Sequence, residues 1–150
     1  MCKITKLQII GKLNPRYTFA LNPYLDARFT RCPKCGKPTY YRKFALLIHL
    51  KDYGPIVLGK TCPYCTKCEF IIAHKDKLEE ELKRMTPTLI KEINSESYSV
   101  MGTVNIKTWK RGLLTPLPLE KILEDAADFK SYVKLQPKIV NAHPSLNKLL

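Results

Sequence analysis

No run of apolar residues in this sequence approaches the roughly 18 needed to cross a bilayer as a helix. The longest, residues 44–50, is strand-sized and contains His49. The first residues, Met1-Cys2-Lys3-Ile4-Thr5-Lys6, lack the apolar stretch and small-residue cleavage site of a secretion signal. A membrane-spanning or secreted protein is therefore not expected, and the cytoplasm is the expected location. Acidic residues are scarce, 13 against 26 Lys and Arg in 150 residues. No Ser/His/Asp set, phosphate-binding glycine loop or pair of carboxylates stands out, so the sequence gives no ground for calling it an enzyme. Internal repeats and low-complexity runs are missing too. Hydrophobic residues make up 45%, enough for a core, which excludes a chain disordered by composition.

The charge imbalance is local. Residues 1–43 carry ten basic groups and one acid, Asp26, for a net +9; residues 75–150 carry +3. A one-sided basic field draws polyanions and speeds their encounter. Within it, Tyr17, Tyr24, Phe29, Tyr40 and Tyr41 interleave with Arg16, Arg28, Arg31, Lys37, Arg42 and Lys43. Exposed rings of this kind stack on bases while cations meet phosphates; as a plainer reading, half or more of the rings belong to the core. Arg28, Arg31, Arg42 and Lys43 are the expected nucleic-acid contacts.

Five of the six cysteines form two tight groups, Cys32-Pro33-Lys34-Cys35-Gly36 and Cys62-Pro63-Tyr64-Cys65-Thr66-Lys67-Cys68. Two such knuckles, separated by a hairpin-length segment, suit tetrahedral zinc. Each turn aims two sulfurs at one point, and four thiolates close the coordination sphere of a borderline-soft metal. Cys32, Cys35 and Cys65 belong to any solution. The fourth ligand is Cys68, which leads straight into the apolar run 70–73, or alternatively Cys62, whose following proline repeats Cys32-Pro33. His74 reads as a capping or surface residue and His49 as a core or edge histidine. A catalytic zinc keeps an open position and commonly uses histidine, so an all-cysteine site argues against hydrolysis.

Strands are expected over residues 16–21, 39–50, 56–60 and 70–73, with a turn at Lys51-Asp52-Tyr53-Gly54-Pro55 and a looser strand within 1–13. Asp76 with Glu79 reads as the start of a helix that Pro87 ends. Tyr98, Val100, Val104 and Ile106 alternate as a strand running on towards Trp109. Leu119, Ile122, Leu123, Ala126 and Phe129 mark a second helix to about residue 134. The expected fold is α+β: a basic strand and connector (1–31), a zinc ribbon (32–74), a helix–strand–helix remainder packed on it (75–135) and a tail (136–150).

The knuckles, with the stretches 60–74 (KTCPYCTKCEFIIAH) and 101–112 (MGTVNIKTWKRG), resemble those of a group of bacterial zinc-ribbon proteins without assigned function. That resemblance implies a structural metal and specifies no activity. Some antitoxins join a similar zinc domain to a helix-turn-helix, but the sequence after Met85 reads as a strand and one helix, so no helix–tight turn–helix pair is expected here. Three functions are carried forward. The first is a zinc module binding nucleic acid or a ribonucleoprotein through its basic N-terminal face. The second is a protein-interaction adaptor, and the third electron transfer with iron in a rubredoxin-like site. No membrane and no small-molecule substrate is called for.

Overall fold

The computed structural model describes residues 10–85, 93 and 96–135. The strand expected near the N-terminus falls largely outside them, as do Cys2, Pro87 and the tail. The described chain is a mixed α+β protein of seven strands and three helices. In order these are β1 (Thr18–Asn22), β2 (Tyr40–Leu50), β3 (Gly54–Cys65), β4 (Phe70–His74), α1 (Lys75–Met85), β5 (Tyr98–Val104), α2 (Ile106–Leu114), α3 (Leu119–Glu124), β6 (Ala126–Asp128) and β7 (Ser131–Tyr132). The hydrogen-bonded strand order is β6-β5-β2-β3-β4-β1-β7. No helix among the described residues is long and apolar enough to cross a membrane. Two compact units share this chain, and β2 and β3 each contribute residues to both.

The first unit comprises residues 10–16, 44–60 and 96–130 among those described. The hairpin turn at residues 51–53 uses Asp52 and Gly54 at positive φ, as the turn signal in the sequence requires. β2 pairs antiparallel with β5 from Ala45↔Val104 to Leu50↔Tyr98, with a bulge at Leu47/Ile48, and β5 pairs with β6. Ala45, Leu47, Val104 and Ala126 form its core, packed by Val57, Trp109, Ile122 and Leu123. Gly59 is favoured here by close approach: a Cβ on it would overlap the Trp109 ring.

Two departures from the sequence reading fall in this unit. The strand towards Trp109 stops at Val104, because Asn105 caps a helix: its side chain accepts from the Lys107 amide at 2.9 Å. The helix expected over 119–134 ends at Glu124. Ala126, Ala127, Asp128 and Phe129 are all buried, and a strand packed on both faces buries consecutive residues where an amphipathic helix does not. Asp128 adds to this by accepting the Gly11 amide at 2.6 Å, which holds the incoming chain against β6. Among the described residues the remainder thus holds three helices, not two, and after Met85 two of them, α2 and α3, follow one another across residues 115–118 where a strand and one helix were expected.

The second unit comprises residues 17–43, 61–85, 93 and 131–135 among those described. β3 and β4 pair antiparallel at Tyr64↔Ile71 and Cys65↔Phe70. β1 lies parallel to β4 from Thr18↔Phe70 to Asn22↔His74, and β7 pairs parallel with β1. Helix α1 starts one residue before the expected Asp76 and buries Leu78 and Leu82. The unit's apolar cluster of Ala20, Ala27, Phe29, Phe70, Ile72 and Leu135 includes Cys32 and Cys65, so the core reaches the knuckles directly.

Candidate metal centre

The first knuckle is a loop tied at its base. Thr39 N donates to Thr30 O at 2.9 Å, Arg31 and Pro38 form an antiparallel bridge, and Cys32 N donates to Lys37 O at 2.8 Å. Inside it, Gly36 N reaches Cys32 O at 2.8 Å and Lys34 N donates to Cys32 Sγ at 3.3 Å. Gly36 takes φ 78°, a left-handed value that glycine reaches without a Cβ penalty. The second knuckle is the turn between β3 and β4. Cys65 is the last residue of β3, and Cys68 N donates to Cys65 Sγ at 3.4 Å. Glu69 follows at φ 51°, taking the place that Gly36 holds in the first knuckle. The two turns thus share one plan, Cys-x-x-Cys and then a left-handed residue, although only one of them has a glycine there.

The sulfurs of Cys32, Cys35, Cys65 and Cys68 all lie within 4.8 Å of one another, close enough to hold a metal ion. Cys35 Sγ and Cys65 Sγ are 3.6 Å apart. Four thiolates at ~2.3 Å from a tetrahedral metal stand roughly 3.8 Å from each other, so the donor set fits such an ion in both number and spacing. Cys62 is outside the group. It lies within β3, three residues before Cys65, where strand geometry turns its side chain to the opposite face. It is buried there, at 1% exposure.

The four thiols are not equivalent. Burial pushes the Cys32 thiol up to about 12, against the opposing pull of the Cys35 and Lys34 amides. The Lys37 backbone N–H, foremost among several donors, draws half-buried Cys35 down to about 7. Burial also raises Cys68. With no cation nearby the buried Cys32 thiol keeps its proton; a divalent metal supplies the charge that turns it into a ligand.

The connector feeding the first knuckle is organised by Asn22, which lies just past the strand expected over residues 16–21. Asn22 Nδ2 donates to Ala27 O at 2.7 Å and to His74 Nδ1 at 3.1 Å, while its Oδ1 accepts from Tyr24 N at 2.9 Å. The Asn-Pro-Tyr run carried that signal, since an asparagine that bonds the backbone two residues on builds a turn. Glu69 is the other residue missed, and only its place after Cys68 pointed to it. His74 lies outside the cysteine cluster. His49 is exposed rather than in a core.

The four basic residues read as nucleic-acid contacts are all exposed and lie in the second unit. Arg28 pairs with Asp76 at 3.5 Å. Arg31 donates to Gly36 O at 3.0 Å, beside the first knuckle. Arg42 and Lys43 adjoin each other on β2, with the Arg42 guanidinium 5.2 Å from the centre of the Tyr64 ring. Of the interleaved aromatics, Tyr17 and Phe29 are buried, Tyr24 is half-buried, and Tyr40 and Tyr41 are exposed. Comparison of the chain with family models, with curated proteins and with solved structures found no match.

Proposed function

We propose that this chain is a structural zinc-binding protein of zinc-ribbon type that binds nucleic acid through a basic face beside the metal. The observation that carries it is the convergence of four cysteine sulfurs within 4.8 Å. Zinc is the favoured ion because it accepts four thiolates in a closed tetrahedron and undergoes no redox change. The four cysteines would hold it, and its role is to lock the two turns together. A closed set of four thiolates leaves no position for a substrate, so the reading is of a binding protein and not an enzyme. Support for the polyanion comes from the chain between Ala27 and Lys51, which contains no carboxylate and carries Arg28, Arg31, Lys34, Lys37, Arg42 and Lys43 before its last lysine.

The test is binding of the zinc-loaded protein to generic DNA and RNA as salt is varied. Each phosphate contact contributes roughly 0.7–0.9 to the logarithmic salt slope. Neutralising Arg28, Arg31, Arg42 and Lys43 together should weaken binding and flatten that slope. Neutralising Lys121, Lys130 and Lys134 should do neither. Equal loss from both sets would mean diffuse attraction only. Absence of binding at low salt would favour the second reading, a protein-interaction adaptor, for which Leu113 and Leu114 at 65% and 88% exposure are the supporting feature.

A further inference from the structure

The burial pattern of β2 changes abruptly at one point. Phe44 to Ile48 are buried without a break, whereas Tyr40, Tyr41, Arg42 and Lys43 are all exposed. Tyr40 and Tyr41 show 61% and 70% of their surface. Single exposed aromatics are ordinary on protein surfaces, but two in succession, followed by two cations, are a composite feature. Successive side chains on a strand face opposite sides, about 3.3 Å apart along it. Arg42 lies over Tyr64, so Tyr40 and Arg42 share that ring's face and Tyr41 and Lys43 share the other. Each face of this strand segment therefore offers one exposed ring with a cation two residues on. Arg31, on the loop that leads into β2 through the Arg31–Pro38 bridge, adds a third exposed cation.

We infer that Tyr40 and Tyr41 form a two-sided base-stacking platform, one ring on each face of the strand, and that the nucleic acid this protein takes is single-stranded and passes from one face to the other. The inference rests on the nucleic-acid reading above and narrows it. An exposed tyrosine can cover the π-face of a base only when that base is free of its neighbours, as in a single strand. In a duplex both faces of each base are already stacked, and recognition falls to elements that enter a groove. The platform is on a strand, whereas helix α1 of the same unit carries four acids and four basic residues, with Glu79 paired to Lys75 at 2.7 Å and Glu81 to Arg84 at 3.7 Å, and so has no net charge to draw a phosphate backbone. Arg31, Arg42 and Lys43 meet the phosphates, while the two rings take one base each. Stacking tolerates any base, so little sequence preference is expected.

The experiment uses the full zinc-loaded chain and three labelled probes of one length: an oligothymidylate, an oligouridylate and a blunt DNA duplex. Anisotropy titrations of wild type should show the single strands bound more tightly than the duplex. Tyr40→Ala with Tyr41→Ala should weaken single-strand binding at least about tenfold and leave the salt slope unchanged, because rings and not phosphate contacts are lost. Tyr40→Phe with Tyr41→Phe should retain wild-type affinity, since the π-face is kept. Arg42→Gln with Lys43→Gln should instead flatten the slope. Zinc content, measured for every variant, shows that the knuckles are intact. If duplex binds as tightly as single strand, or the double alanine variant binds like wild type, the platform is overturned while the broader nucleic-acid reading stands. If no probe binds at low salt, both fail together.

Discussion

Cys35 and Cys32 are three residues apart, yet their thiols are shifted in opposite directions. The Lys37 amide points at the Cys35 sulfur and stabilises its thiolate, whereas burial disfavours charge on Cys32. The thiolate is the nucleophile, so alkylation follows its population. In protein stripped of metal, Cys35 should react first with iodoacetamide. Its rate should rise with pH and reach half its limit at about 7, with Cys32 inert over the same range. Peptide mapping of the labelled chain against pH checks this. Preferential labelling of Cys32, or a Cys35 profile centred above pH 8.5, the ordinary thiol value, would contradict the hydrogen-bonded geometry of the first knuckle. The cysteines themselves were legible in the sequence because their type and spacing are local. Glu69 was not, since a left-handed glutamate leaves no compositional mark.

At the scale of elements, legibility followed how far each element depends on its neighbours. The strand over residues 39–50 and the turn after it were readable, because apolar runs and glycine-proline punctuation are local signals. Helix α1 was readable from Asp76, Glu79 and the spacing of Leu78 and Leu82. The segment after Asp125 was not. Leu119, Ile122, Leu123, Ala126 and Phe129 satisfy helical spacing, but pairing of Ala126–Asp128 with Gly102–Val104 won, a long-range contact that no window of sequence reveals. Helix α2 was missed although Asn105 announces it. Its side chain satisfies the Lys107 amide, one of the donors that a helix start leaves open. Asn105→Ala should therefore destabilise the protein by about 1 kcal/mol, and Asn105→Asp should restore most of the loss. Urea unfolding would check this; an alanine variant as stable as wild type would mean that the cap contributes nothing.

For the whole molecule, the metal joins segments that are distant in sequence. Cys32 and Cys35 precede the β2–β3 hairpin and Cys65 and Cys68 follow it. One ion bonded to all four sulfurs would close a loop of about thirty residues, a constraint worth a few kcal/mol by analogy with a covalent cross-link. Composition revealed the net charge of +13 and its bias to the N-terminal third. It did not reveal that Arg28 pairs with Asp76, or that Tyr40 and Tyr41 are the exposed rings while Tyr17 and Phe29 are buried. Those outcomes depend on packing between segments far apart in the chain.

The most direct test of the account is the metal content of the chain, purified without chelator and measured by elemental analysis beside its Cys62→Ala and Cys68→Ala variants. Four sulfurs within 4.8 Å predict about one zinc per chain in wild type, retention in Cys62→Ala and loss in Cys68→Ala. A colourless wild-type protein without metal would contradict the structural centre outright. Iron with visible absorption would replace zinc by the electron-transfer reading, and loss of metal in Cys62→Ala alone would show that the wrong fourth sulfur has been assigned.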